Sequence, residues 1–203
     1  MIYISIGASC AVKYQIDKHK HKIATLFFDW LDTSMEAVIN ILGCDDIDKI
    51  LSFNNIEKDK NRPVIGNNSR MFIKSIGYCV SIHDIDINYA DNDVLDFITK
   101  YKRRFNRLIE YIKSDEKLYF IRNDIIDSSI QQKFIETILK INPACNFALV
   151  VIDNHKENDI GILKTDHCLY IKLNIEQSPK TDWQRNYLDW ENIFSEIEKI
   201  YNL

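Results

Sequence analysis

Asn146-Phe147-Ala148-Leu149-Val150-Val151-Ile152 decides the fold. A run that is apolar from Phe147 to Ile152, with no polar alternation, reads as a strand covered on both faces. Such strands belong to parallel sheets shielded by helices. Outward from it, Lys117 to Ile121 reads as an earlier strand and Ile130 to Ile141 as the helix between the two. Cys168 to Leu173 reads as a further strand. Trp190 to Tyr201 reads as a closing helix with Ile193, Phe194, Ile197 and Ile200 inward. The succession strand, helix, strand, strand, helix predicts an α/β fold, three-layered, with a mainly parallel sheet and helices on both faces.

The same logic extends to the start of the chain. Ile2, Ile4 and Ile6 alternate with Tyr3 and Ser5 as in a short strand, which runs into Ser5-Ile6-Gly7-Ala8-Ser9-Cys10. Gly7 permits a tight turn, and Ser9 is a good N-cap for a helix carrying Val12, Tyr14 and Ile16. Ala24 to Trp30 is an apolar run ending in Phe27-Phe28-Asp29-Trp30. Thr33 or Ser34 caps a helix through Leu42, Asp45 to Ser52 reads as a short helix, and residues 54–69 are turn-rich and read as a loop. Met71 to Ile73 and Tyr78 to Ile82 are strand-like, the second ending at His83-Asp84. Asn92 to Ile112 is the clearest helix, with Val94, Ile98, Tyr101, Phe105, Leu108 and Ile112 on one stripe. With no internal repeat and no dividing linker, residues 1–203 read as a single domain.

Composition narrows the classes. A chain of 203 residues that is 46% hydrophobic and 28% charged is of globular type. Its net charge of -4 gives no electrostatic basis for a nucleic-acid partner. No apolar run approaches the ~20 residues of a membrane span, and no targeting segment is visible. The five cysteines are odd in number and lack any C-x-x-C, which predicts reduced thiols and a cytoplasmic location. His19 and His21 stand among Lys18, Lys20 and Lys22, which repel a cation, and no phosphate-cradling glycine loop or H-E-x-x-H is present. Neither a metal nor a cofactor is expected.

In open α/β sheets, sites collect beyond the carboxyl ends of the strands. Ser9 and Cys10, His83 and Asp84, Arg122 to Asp124, and Asp153 and Asn154 all follow candidate strands. Cys10 falls at a helix start, where the dipole and free N–H groups favour the thiolate. It is therefore the candidate nucleophile, whereas Cys79 and Cys145 lie in or beside apolar strands and read as packing residues. His83 ends an apolar strand and is the candidate base. The acid that would orient it is open between Asp29, held in an aromatic setting, and Asp84, which strict strand alternation would turn away from His83. Arg103, Arg104 and Arg107 can form a solvated, ion-paired helix face or grip an anion. Trp183 and Trp190, with Arg185 nearby, can anchor the C-terminal segment or bracket a planar or sugar ligand.

These residues fall into an ordered set of motifs. Ser5-Ile6-Gly7-Ala8-Ser9-Cys10 matches an S-L-G-x-x-C opening, and Phe28-Asp29-Trp30 matches P-F-D-W, with Phe27 where proline is usual. His83-Asp84 matches H-D, Tyr101 to Arg107 matches Y-x-R-R-x-x-R, and Phe120-Ile121-Arg122 matches F-I-R. Over at least residues 2–152 the chain resembles a bacterial and viral domain of unknown function described as papain-like cysteine peptidases. The resemblance implies Cys10, His83 and Asp29 as catalytic residues, with Ser9, Asp84, Arg122 and Asn123 about the substrate. It implies cysteine-dependent hydrolysis of an amide or ester in a small-molecule, glycan or peptide substrate. Two alternatives use the same residues or none of their chemistry. One is acyl transfer from a thioester such as acetyl-CoA to a sugar in surface-polysaccharide biosynthesis, and the other is a non-catalytic binding module.

Overall fold

The computed structural model describes residues 1–58, 68–74, 76–86, 88, 90–153, 161–164, 166–172 and 182–201. Four strands run parallel: β1 (Ile2–Ser5), β6 (Leu118–Arg122), β7 (Phe147–Asp153) and β9 (Cys168–Lys172). A fifth, β8 (Gly161–Lys164), joins the edge antiparallel, giving the order β1-β6-β7-β9-β8. Successive residues of β7 feed opposite faces. Leu149 and Val151 point into one core, Val150 and Ile152 into another, which is why the strand shows no polar alternation.

The two faces differ in what covers them. On one, Tyr3, Tyr119, Ile121 and Val150 pack against α1 (Cys10–His19) and α6 (Trp190–Tyr201) through Val12, Ile16, Ile193, Phe194 and Ile197. On the other, Ile4, Phe120 and Leu149 pack against α2 (Met35–Leu42), α4 (Asp91–Ile112) and α5 (Ser128–Ile141). The short helix α3 (Ile47–Ile50) follows α2 in the chain. Helices thus cover both faces of a mainly parallel sheet, the α/β architecture expected.

The second sheet was not anticipated. It is antiparallel, four-stranded and ordered β2-β5-β4-β3, from β2 (Leu31–Thr33), β3 (Ile56–Lys58), β4 (Asn68–Ile73) and β5 (Cys79–Asp86). Two of its strands begin inside the stretch read as a loop; residues 59–67 of that stretch lie outside the described residues. β2 and β3 are three residues long, too short for a period of two to stand out, while the strand readings at Met71 to Ile73 and Tyr78 to Ile82 fall on β4 and β5. Their inward residues Leu31, Met71, Ile73, Cys79 and Ile85 join the core of the parallel sheet's second face.

Candidate active site

Between β1 and α1 the chain turns on two consecutive left-handed residues, Gly7 (φ +79°) and Ala8 (φ +68°). At Gly7 a side chain is barred twice over: by its φ, and because a Cβ would sit 1.8 Å from Thr33 Oγ1. Ala8 takes the same conformation at a strain cost, as residues beside functional centres often do. Ser9 then caps α1, its Oγ accepting from the Ala11 N–H at 3.4 Å, and Cys10 occupies the first helical position, as the sequence predicts.

His83 reaches the same region by another route. It is not at the carboxyl edge of the parallel sheet but inside β5 of the antiparallel one, which corrects the expectation of a shared edge. Ser69 pairs with Ile85 and Met71 with Ser81, so three residues of β5 (82–84) stand opposite the single Arg70 of β4. This bulge breaks the alternation that would separate neighbouring side chains. Ile82 and His83, adjacent in sequence, both face one cleft. Asp84 turns inward instead and accepts hydrogen bonds from Ser81 Oγ (2.6 Å), Lys100 Nζ (2.7 Å) and the Tyr101 hydroxyl. Arg104 stands 3.8 Å from the same carboxylate and Arg107 donates to the Thr25 carbonyl. The Tyr101–Arg107 motif is thus largely framework behind the bulge, while Arg103 is exposed.

The cleft has a volume of about 380 Å³. Ala8, Ser9 and Cys10 form one side, Ile82 and His83 another, and Asp32 and Trp183 are the other lining residues among those described. Asp32 was missed by sequence reading. It lies in β2 opposite Val80, and so on the strand face that Ile82 continues, and it accepts from the Tyr78 hydroxyl at 2.9 Å. The available signal was a second acid three residues after Asp29, flanked by inward Leu31 and Thr33. Trp183 is 55% exposed on the cleft wall, whereas Trp190 is buried in the core.

Other candidates are engaged away from the cleft lining. Asp29 is buried, accepting from the Leu26 N–H at 2.8 Å and facing Lys13 at 3.3 Å. Burial raises its carboxyl to about 6 against the pull of Lys13. Arg122 spends its guanidinium on the Ile6 carbonyl (2.9 Å), the Thr33 carbonyl (2.8 Å) and Asp124 (3.0 Å). Asn123 donates to the Ile152 carbonyl. Asp153 is buried at the end of β7, and Asn154 lies outside the described residues. Ser9, Cys10 and His83 are brought together; Asp29, Asp84, Arg122 and Asn123 are not among the lining residues.

Electrostatics at Cys10 run opposite to the sequence expectation. Burial, with added repulsion from Asp32 and Asp84, raises the thiol to about 11, and its own backbone N–H pulls only partly back. Desolvation of the charged form outweighs the pull of the backbone N–H, Cys10 being only 9% exposed. The resting group is a thiol, so attack on a carbonyl needs a base to take its proton. Among the described residues no cluster of three His, Cys, Asp or Glu is arranged to hold a metal. No helix of the described residues is long and apolar enough to cross a membrane.

Comparison with known proteins bears on this geometry. An uncharacterized protein of Acanthamoeba polyphaga mimivirus, R408, is 25% identical over 216 residues, covering 95% of this chain and 96% of its own. No solved structure matches. The model of a family described as "Putative papain-like cysteine peptidase" matches residues 1–158, which hold the Cys10 turn, the Asp32 strand and the His83 bulge, and the chain belongs to that family.

Proposed function

We propose that this protein catalyses acyl-enzyme chemistry as a cysteine hydrolase, with Cys10 as nucleophile, His83 as general base and then acid, and Asp32 as the cleft carboxylate that steadies the imidazolium. The observation that carries this reading is the convergence of these three side chains, from β1–α1, β5 and β2, on one cleft. As Cys10 Sγ bonds to the carbonyl carbon of an amide or ester, His83 takes the thiol proton. Apart from that of Ala11, which donates to Ser9 Oγ, N–H groups in the first turn of α1 lack intrahelical partners and are available to the oxyanion. Collapse breaks the bond to the amine or alkoxide, which receives the proton from His83. Water then attacks the thioester with His83 again as base, releasing the acid and restoring the thiol.

A second reading shares every step but the last. The apolar walls Ala8, Ile82 and Trp183 disfavour water beside the thioester and favour discharge to an acceptor other than water. Peptide mass mapping after exposure to p-nitrophenyl acetate or acetyl-CoA tests both. The acetyl group should appear on Cys10, be absent from C10A, and form about 10²–10⁴ times more slowly in H83A. An adduct discharged only when an acceptor is added selects transfer. No adduct on Cys10 from either donor rejects the enzyme and leaves a binding module.

A further inference from the structure

We infer that Trp183 is a substrate-recognition residue, presenting its ring to a planar apolar group carried next to the reacting carbonyl. This rests on the cysteine reading above and adds the class of substrate. A tryptophan that is 55% exposed forgoes burial that its surface would reward, unless something covers it. Its segment is nevertheless held in place. Fully buried Gln15 of α1 donates through Nε2 to the Gln184 carbonyl at 2.7 Å, Asp182 Oδ2 accepts from the Asn186 N–H, and Trp190 Nε1 donates to the Arg185 carbonyl at 2.8 Å. The Trp183 ring meets Tyr14 of α1 edge-on, with centroids 5.4 Å apart at 65°. The aromatic wall is therefore pinned to the same helix that carries Cys10, four residues from it. A fixed ring costs little further entropy when a ligand stacks on it.

The rest of the cleft fits such a group. Among the described residues its apolar ones are Ala8, Ile82 and Trp183, and its polar ones are Cys10, His83 and Asp32 of the proposed chemistry together with Ser9. A sugar would find few hydrogen-bonding partners among these described residues, whereas a ring beside a carbonyl requires none. About 380 Å³ falls within the range of small-ligand sites and exceeds what an acetyl group needs. Trp183 also lies beyond residues 1–158, outside the stretch that the family model matches. The wall is thus supplied by a part of the chain separate from the matched framework.

Two measurements test the inference. Cys10 is alkylated with iodoacetamide and with N-benzyl iodoacetamide at pH 9, in wild type, W183A and W183F, and the rate ratio is read by peptide mapping. This reaction needs no general base, so it reads the wall and not the dyad. The benzyl reagent should be favoured by up to about tenfold in wild type, with the preference kept in W183F and lost in W183A. An equal ratio in wild type and W183A overturns the inference. Independently of any thiol chemistry, saturation-transfer NMR should detect N-benzylacetamide on C10A and not on C10A/W183A. Binding undiminished in the double variant overturns it equally. A benzyl preference with no acetyl adduct on Cys10 leaves the wall standing and removes the hydrolase.

Discussion

Cys10 stands between opposing fields. The start of α1 and its own N–H favour a thiolate, while desolvation and the charges of Asp32 and Asp84 oppose one and prevail. A thiol near 11 carries on the order of one thiolate in ten thousand at pH 7, against a few per cent for a free cysteine. Iodoacetamide labelling of Cys10 should therefore rise about tenfold per pH unit from 7 to 10 and level only near 11. A plateau already reached at pH 7 would mean a standing thiolate and reject this account. D32N separates the two tasks of that carboxylate. Removing its charge lowers the Cys10 pKa and should speed labelling at pH 8, while acylation by p-nitrophenyl acetate should slow as His83 loses its acid. Labelling and acylation moving together would show that Asp32 does not serve the histidine. The position of Cys10 was legible from a glycine, a cap and a strand; its ionisation was not, because burial and Asp32 arrive from distant segments.

The bulge in β5 is the element on which the site turns. His83-Asp84 reads in sequence as a motif at a strand's end, and the strand in fact continues to Asp86. Nothing local announces an interruption of pairing that depends on β4, since register is set by the partner strand. What fixes the bulge is Asp84, whose ionised form is held below the ordinary carboxylate range. Burial pushes it up, and the hydrogen bonds of Lys100, Ser81 and Tyr101 more than offset that push. A carboxyl depressed in the folded state stabilises above its unfolded range near 4 and loses that contribution as pH falls through its lower folded value. D84N should cost about 2 to 3 kcal/mol at pH 7 and progressively less as pH falls below about 4, by urea unfolding. Acylation of Cys10 should fall with it as His83 loses its support. An unchanged midpoint at pH 7 would remove Asp84 as the anchor.

At the scale of the molecule, the sheets are joined by a common core and by Arg122. One buried guanidinium holds the Ile6 carbonyl at the end of β1 and the Thr33 carbonyl at the end of β2. Those strands carry the chain to Cys10 and to Asp32, so Arg122 sets the spacing of the two sides of the cleft. R122M should leave both carbonyls without this donor and cost about 2 to 4 kcal/mol. Because Ile4 and Phe120 share a core with Met71 and Ile85, the loss should appear as one lowered transition by circular dichroism and by tryptophan fluorescence alike. Transitions that separate would show two units melting independently. The parallel sheet was legible because β6 and β7 are apolar up to their last residue and α4 keeps its stripe over 22 residues. The antiparallel sheet was not, since its pairings join short segments far apart in the chain.

A slip of two residues has a parity that a slip of one would lack. Ser81 and Ile85 flank the bulge and both remain buried, as do their partners Met71 and Ser69. Every side chain before and after it keeps its inside or outside assignment. Inserting or deleting a dipeptide there leaves the hydrophobic phase of β5 intact, while a single-residue change would invert half the strand. The segment bearing His83 is thus a module in the evolutionary sense, one that can be gained, lost or exchanged without rewriting the scaffold on either side.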